Sequence, residues 1–191
     1  MLRTMNSDLF LPFLLLLLLL LAPITAQADG FAMGRPDGDV GVEASLLWPI
    51  FPGNLFLLRT AIDTPTSGDI LAGVQFHIPH DREDEGRFSS AAAHIGWRQW
   101  IRWGLHIDAV VNAGRGRLQN SPYTGDDYSS FDVELMLTAG WSPRFGRFYM
   151  SIDPLGISGV IYKSNPWPID GETARREGPI YVGNITLGWY F

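Results

Sequence analysis

Polar and apolar residues alternate strictly along this chain, over segments of about nine to eleven residues, and this alternation limits the folds available to it. A period of two residues is typical of a β-strand with two unlike faces. Clusters of Gly, Pro, Asp, Asn and Ser separate the segments. The sequence therefore predicts an all-β fold with eight strands, at residues 39–48, 54–63, 69–78, 89–100, 104–114, 130–141, 147–154 and 179–191.

The predicted connections alternate in length. Three are short, at residues 64–68, 101–103 and 142–146, and three are longer and more polar, at 79–88, 115–129 and 155–178. The first connection, 49–53, is short and departs from the pattern. Tight turns at one end and longer connections at the other predict an eight-stranded antiparallel up-and-down β-barrel.

The two faces of the predicted strands differ in chemistry. One face is apolar, as in Val40, Val42 and Ala44 of the first strand. The opposite face is polar, and because a narrow interior must pair its charges, we expect a lumenal charge network there. Its predicted members are Glu43, Arg59, His94, Arg98, His106, Asp108, Asp132, Glu134 and Asp153.

Periodicity alone does not decide which face points outward, since a soluble ligand-carrying barrel alternates in the same way. The glycines decide it, because eight strands enclose a space only just wide enough for side chains. Six glycines share the polar face: Gly41, Gly73, Gly96, Gly104, Gly140 and Gly188. The bulky apolar side chains are thus predicted to face a bilayer, with interfacial aromatic residues near the strand ends. These are Trp48, Trp97, Trp103, Trp141, Tyr181, Trp189 and Phe191.

The first 28 residues have the pattern of an export signal. Arg3 precedes the leucine-rich tract Phe13–Leu21, and Ala26-Gln27-Ala28 offers small residues at the cleavage site. A membrane-anchoring helix is the alternative, but the apolar run is shorter than the ~20 residues needed to cross a bilayer. We therefore predict a cleavable signal peptide at residues 1–28 and one barrel domain at 29–191.

Composition excludes several classes of function. The 14 basic and 20 acidic residues give a net charge of −6, the wrong sign for a nucleic-acid partner. The chain has no cysteine, which rules out disulfides, cysteine-ligated zinc and thiol catalysis. We expect neither a cofactor nor a bound metal.

The last predicted strand carries the most specific motif. Tyr181, Ile185, Leu187 and Trp189 alternate up to the terminal Phe191. This ending resembles the C-terminal assembly signature of bacterial outer-membrane barrels. With eight strands and a signal peptide, the chain resembles the small family of outer-membrane protein A, X and W. The resemblance implies the Gram-negative outer membrane and four partners: membrane lipid, lipopolysaccharide, the barrel-insertion machinery and periplasmic chaperones. We expect a monomer, although the sequence contains no signal for the oligomeric state.

Three functions are compatible with this architecture. The first is a non-enzymatic barrel, closed by its charge network, that supports envelope integrity or surface interaction. The second is a narrow channel or hydrophobic-ligand conduit, with Pro154 as the expected break in the strand ladder. The third is a lipid A-modifying acyl hydrolase or transferase, with His106 as general base and Asp108 as its orienting group. Its nucleophile would be one of Ser45, Ser90 and Ser151. We expect the first, because a narrow barrel must pair buried charges even without catalysis.

Three local expectations follow from the predicted connections. If Trp100 pairs with Gly104, Arg98 lies opposite His106 in the interior. The longer connections carry paired arginines, Arg115 with Arg117 and Arg175 with Arg176, which could contact lipopolysaccharide phosphates. The acidic run 81–85 lacks the spacing of a calcium loop and is predicted to be solvated.

Overall fold

The computed structural model describes residues 31–47, 55–82, 86–121, 124–165, 168–169, 172–173 and 180–191. The predicted leader, Trp48, Arg175 and Arg176 lie outside these residues. Within the described ranges the regular structure is entirely β, and no helix there is long and apolar enough to cross a membrane. The strands are β1 (Phe31–Met33), β2 (Val40–Ser45), β3 (Leu55–Asp63), β4 (Gly68–Arg82), β5 (Gly86–Trp100), β6 (Leu105–Gln119), β7 (Tyr128–Trp141), β8 (Pro143–Phe145), β9 (Phe148–Lys163), β10 (Pro168–Ile169), β11 (Glu172–Thr173), β12 (Ile180–Tyr181) and β13 (Asn184–Tyr190).

Eight strands close into an antiparallel ring. Its order is β2-β3-β4-β5-β6-β7-β9-β13, and β13 pairs back onto β2. The short β1 pairs with β8, β12 pairs with β9, and β10 pairs with β11. The all-β class and the eight principal strands are therefore confirmed, although the last predicted strand is divided into β12 and β13.

The orientation of the two faces is confirmed for the described residues. Apolar side chains on the outer face are exposed, as shown by Leu58 at 51% and Ile95 at 61%. Charged side chains on the inner face are buried, with Glu43 and Arg98 at 0% exposure. This is the reverse of the usual arrangement in water, where charged groups are almost never fully buried.

Glycines make room for tyrosine rings inside the ring of strands. Gly41 pairs with Tyr190, and a Cβ at Gly41 would lie 2.7 Å from the Tyr190 ring. Gly188 pairs with Tyr149, whose ring would overlap a Cβ there. The interior is thus filled by side chains, as expected for eight strands.

Several strands continue beyond their predicted ends. β4 runs to Arg82 and β5 begins at Gly86, so the predicted connection 79–88 shrinks to residues 83–85. β6 continues to Gln119, which places Arg115 and Arg117 on a strand, and β9 continues to Lys163. The prediction was wrong there because it ended strands where apolar alternation ended, whereas backbone pairing continues through polar residues.

The β5–β6 register also differs from the prediction. Trp100 pairs with His106, and Arg98 pairs with Asp108. The tight turn has positive φ at Trp103 (55°) and Gly104 (73°), and the Leu105 N–H donates to the Arg102 carbonyl. Trp103 and Gly104 thus form the centre of a type I′ turn, and because the Ile101 N–H donates to the Leu105 carbonyl, Ile101 and Arg102 together face Leu105. The turn with this bulge moves the pairing two residues along β6.

Prolines mark bulges in two strands. In β9, Asp153 and Pro154 together face one residue of β7, because Ala139 pairs with Leu155 and Trp141 pairs with Ile152. The predicted break at Pro154 is confirmed, and β4 has a similar irregularity between His77 and His80.

One residue of the outer face at this bulge is covered by its neighbours. Ile152 is only 3% exposed. Its cross-strand partners on the two sides are Trp141 and Ile185, and these large neighbours flank it on the same face.

Candidate functional site: the charged interior

Four ionised side chains form the centre of the interior. Arg98 donates from Nη1 to Glu43 Oε1 at 2.6 Å and from Nε to Asp108 Oδ1 at 2.8 Å. Arg59 donates from Nε to Glu43 Oε2 at 2.6 Å and from Nη2 to Asp108 Oδ2 at 3.0 Å. Two guanidinium groups thus bridge two carboxylates, and the four formal charges cancel. Burial of such groups is tolerated only with this degree of pairing.

A chain of polar side chains leads from this centre toward the β4–β5 hairpin end. Arg59 Nη1 lies 3.2 Å from His94 Nε2, and His94 Nδ1 lies 2.8 Å from Asn112 Oδ1. Asn112 donates from Nδ2 to Glu134 Oε2 at 3.1 Å, and Ser158 Oγ donates to Glu134. Strands β3, β5, β6, β7 and β9 are therefore connected across the interior.

Aromatic side chains continue the network toward the opposite end of the ring, which carries the β3–β4 and β5–β6 turns and is called the short-turn end below. The Arg98 guanidinium lies 5.3 Å from the Trp100 ring centroid. Trp100 Nε1 donates to Asp69 Oδ2 at 2.6 Å, and the Tyr190 hydroxyl donates to the same oxygen at 2.8 Å. Tyr149 donates its hydroxyl to Glu43. These aromatic rings fill the space between the charged groups and connect them by hydrogen bonds to the surrounding strands.

His106 belongs to a second, smaller cluster. Its Nε2 lies 2.7 Å from Asp153 Oδ1 and 3.0 Å from Ser151 Oγ, while its Nδ1 lies 3.3 Å from the Gly104 carbonyl oxygen. A serine relay requires the serine and the carboxylate on different ring nitrogens of the histidine. Here both contact Nε2, and His106 and Ser151 are 1% and 0% exposed. The arrangement is that of a satisfied buried polar cluster.

The predicted charge network is only partly contiguous. The structure brings Glu43, Arg59, His94, Arg98 and Asp108 together, and Glu134 joins them through an asparagine. His106 and Asp153 bond to each other in the smaller cluster, which adjoins the centre because the His106 ring centroid lies 5.2 Å from that of Trp100.

Asp132 lies apart from both clusters. Its side chain is 27% exposed, where Ser130 Oγ donates to it and Lys163 Nζ lies 3.8 Å away. His106, Asp108 and Asp153 offer ligand atoms within 4.8 Å of one another. Both Asp108 oxygens, however, already accept hydrogen bonds from guanidinium groups, which supports ion pairing over metal binding.

Several polar and aromatic members of the interior network were not predicted. Asp69, Trp100, Tyr149 and Tyr190 all occupy inward positions and are buried. Alternation could have identified Asp69, which shares its face with Gly73 and Gln75 in β4. The tyrosines could have been found from the glycines, because an inward glycine leaves room for a large ring on the neighbouring strand.

The residues of the predicted C-terminal signature lie where the last strand closes the ring. Ile185, Leu187 and Trp189 pair with β2 and β9, and Phe191 follows with 64% exposure. Tyr181 pairs with Ile157 in β12.

No protein-family model, no curated protein and no solved structure matches this chain. The function is accordingly argued from the geometry of the described residues.

Proposed function

We propose that this chain is an integral β-barrel of the bacterial outer membrane, non-enzymatic, with its interior closed by ion pairs. It serves envelope integrity or surface interaction through the end opposite the short turns. One observation carries the proposal: a closed ring of eight strands exposes its apolar side chains and buries its charges.

The outer surface has the properties that hydrocarbon requires. In the outer half of β9, Leu155, Ile157 and Ile161 are 64%, 54% and 62% exposed. Comparable apolar side chains cover the outer faces of the neighbouring strands, which in water would create a patch far larger than monomeric soluble proteins tolerate. A closed ring leaves no unpaired edge, so its backbone groups are satisfied without water.

Aromatic residues at the short-turn end support the same placement. Trp103 is 76% exposed in the β5–β6 turn, and Trp189 and Phe191 at the C-terminus are 47% and 64% exposed. Phe145 in β8 is 54% exposed at the same end. Aromatic rings at strand ends are typical of the interfacial girdles of membrane barrels.

The interior supports a closed structure over an open conduit. Arg59 and Arg98 reach from β3 and β5 to carboxylates on β2 and β6, and all four side chains are at most 3% exposed. An ion crossing this level would have to separate pairs whose disruption leaves an uncompensated buried charge. The burial of Ser151 and His106 likewise supports a structural role over acyl transfer.

Gel mobility tests the proposal. The folded protein in detergent should migrate compactly without boiling and shift to its full mass after boiling, and it should precipitate when detergent is removed. Leu137→Arg, at the middle of the outer face, should lower the free energy of unfolding in a bilayer by about 2–4 kcal/mol. Thr66→Arg, in the exposed β3–β4 connection, is the matched control and should change little. A monodisperse, detergent-free protein would contradict the proposal.

A further inference from the structure

Two arginines interrupt the apolar outer face of β6. Five apolar residues occupy alternate positions on that face, and Arg115 and Arg117 then continue it, both exposed. The apolar residues are Leu105, Ile107, Ala109, Val111 and Ala113. With ~3.4 Å per residue and a tilt of about 40°, Arg115 lies about 26 Å from Leu105 along the barrel axis. That distance equals the height of the lipid-facing band of a membrane barrel, so Arg115 is at the level of headgroups.

Small residues flank the two arginines on β5, and on β7 beside Arg117. Arg117 lies between Ser89 of β5 and Ser129 of β7, whereas Arg115 lies between Ala91 of β5 and the exposed Phe131 of β7. The short side chains of Ser89, Ala91 and Ser129 leave a cavity of about 680 Å³ that both arginines line. The site therefore combines positive charge, hydroxyl groups and space at the upper edge of an apolar surface.

The protein satisfies these two arginines unequally. Arg117 Nη2 lies 3.1 Å from Asp127 Oδ2 in an exposed ion pair. The backbone N–H of Asn120, together with Arg117, holds the pKa of the Asp127 carboxyl below its usual range. Arg115 has no ion-pair partner among the residues that the structure describes. An arginine beside hydrocarbon is favourable only with an anion or water to receive its donors.

We propose that Arg115 and Arg117 bind the phosphate group of a membrane lipid, whose headgroup occupies the cavity between β5, β6 and β7. Arg115 makes the principal contact, because it has no ion-pair partner among the described residues. Its planar guanidinium group can donate two hydrogen bonds to one phosphate. Arg117 adds positive charge on the side that Asp127 leaves open, and the acyl chains follow Ala113 and Val111 down the outer face. This inference rests on the proposed membrane placement.

The test uses the full mature chain, folded in zwitterionic detergent micelles. Diphosphorylated lipid A and its enzymatically dephosphorylated form are titrated separately, and bound lipid is counted by native mass spectrometry. Arg115→Gln should weaken binding of the phosphorylated lipid about fivefold, and Arg115→Gln with Arg117→Gln about thirtyfold. Arg102→Gln, at the opposite end of the same hairpin, is exposed and should bind like the wild type.

Three outcomes overturn the proposal: equal binding of both lipids, unchanged binding by the double variant, or full competition by inorganic phosphate at the concentration of the lipid. The last would identify an anion site without lipid specificity. Gel mobility of the same samples distinguishes failure of this lipid site from failure of the membrane placement. A wild type that migrates as a folded barrel but binds lipid without phosphate preference refutes this site alone, whereas a wild type that is soluble without detergent refutes the membrane placement.

Discussion

Removing the Arg98 guanidinium tests the charged interior most directly. Arg98 is fully buried and makes four hydrogen bonds of 2.6–3.3 Å to Glu43 and Asp108. In Arg98→Met most of the side-chain volume remains, so the cavity contribution is small. The two carboxylates would then share only the charge of Arg59, and the cluster would change from neutral to a net charge of about −1. Breaking a buried pair in this way costs about 3–5 kcal/mol.

The matched control is Arg117→Met, which breaks an ion pair in which the side chains of Arg117 and Asp127 are 58% and 48% exposed. Arg117→Met should lower the free energy of unfolding by only a small fraction of the decrease in Arg98→Met, because water and salt screen exposed ion pairs. Equilibrium unfolding in urea, with the protein inserted in lipid vesicles and followed by tryptophan fluorescence, measures both variants. Adding Asp108→Asn to Arg98→Met should recover part of the loss, since it restores neutrality. Equal losses for the two single variants would show that the interior pairs do not hold the ring together.

Three further predictions concern the interior. Gly188→Ala should lower the free energy of unfolding by about 1–3 kcal/mol, because the new Cβ would overlap the Tyr149 ring, and the same urea titration detects it. His106→Ala should leave the acyl chains of cellular lipid A unchanged, since His106 and Ser151 are buried, and mass spectrometry of extracted lipid would reveal any lost acyl release. The wild type should give no stable single-channel steps in a planar bilayer. Regular steps would contradict the closed interior and support a conduit.

The sequence predicted the strands and their orientation because both depend on a local pattern. Outward Leu58 and inward Arg59 are neighbours in β3, and alternation assigns each to its face without knowledge of its partners. Strand ends were harder to predict, since Arg115 and Arg117 carry no apolar alternation yet remain paired with β5 and β7. The pattern shows where a strand has an apolar outer face, whereas pairing alone shows where the strand stops.

The candidate site required information that no local pattern contains. Which carboxylate pairs with Arg98 depends on the β5–β6 register, and a positive φ at Trp103 changes that register by two residues. Tyr149 reaches Glu43 across a separation of 106 residues, through space that Gly188 leaves open. Turn geometry and long-range packing thus decide the partners, and only the composition of the interior follows from alternation.

The bulge in β9 has a consequence for sequence change in this strand. Deleting one residue from a strand normally inverts every side chain beyond the deletion. At Pro154 the opposite should hold, because removing the surplus residue leaves Asp153 facing inward and Leu155 facing outward in an unbroken ladder. Loss of Pro154 should therefore be tolerated, whereas loss of Ile157, two residues beyond Leu155, would turn Ser158 to the outer face. A length change in β9 should thus be tolerated at the surplus residue of a bulge, as at Pro154, and be destructive within a regularly paired stretch.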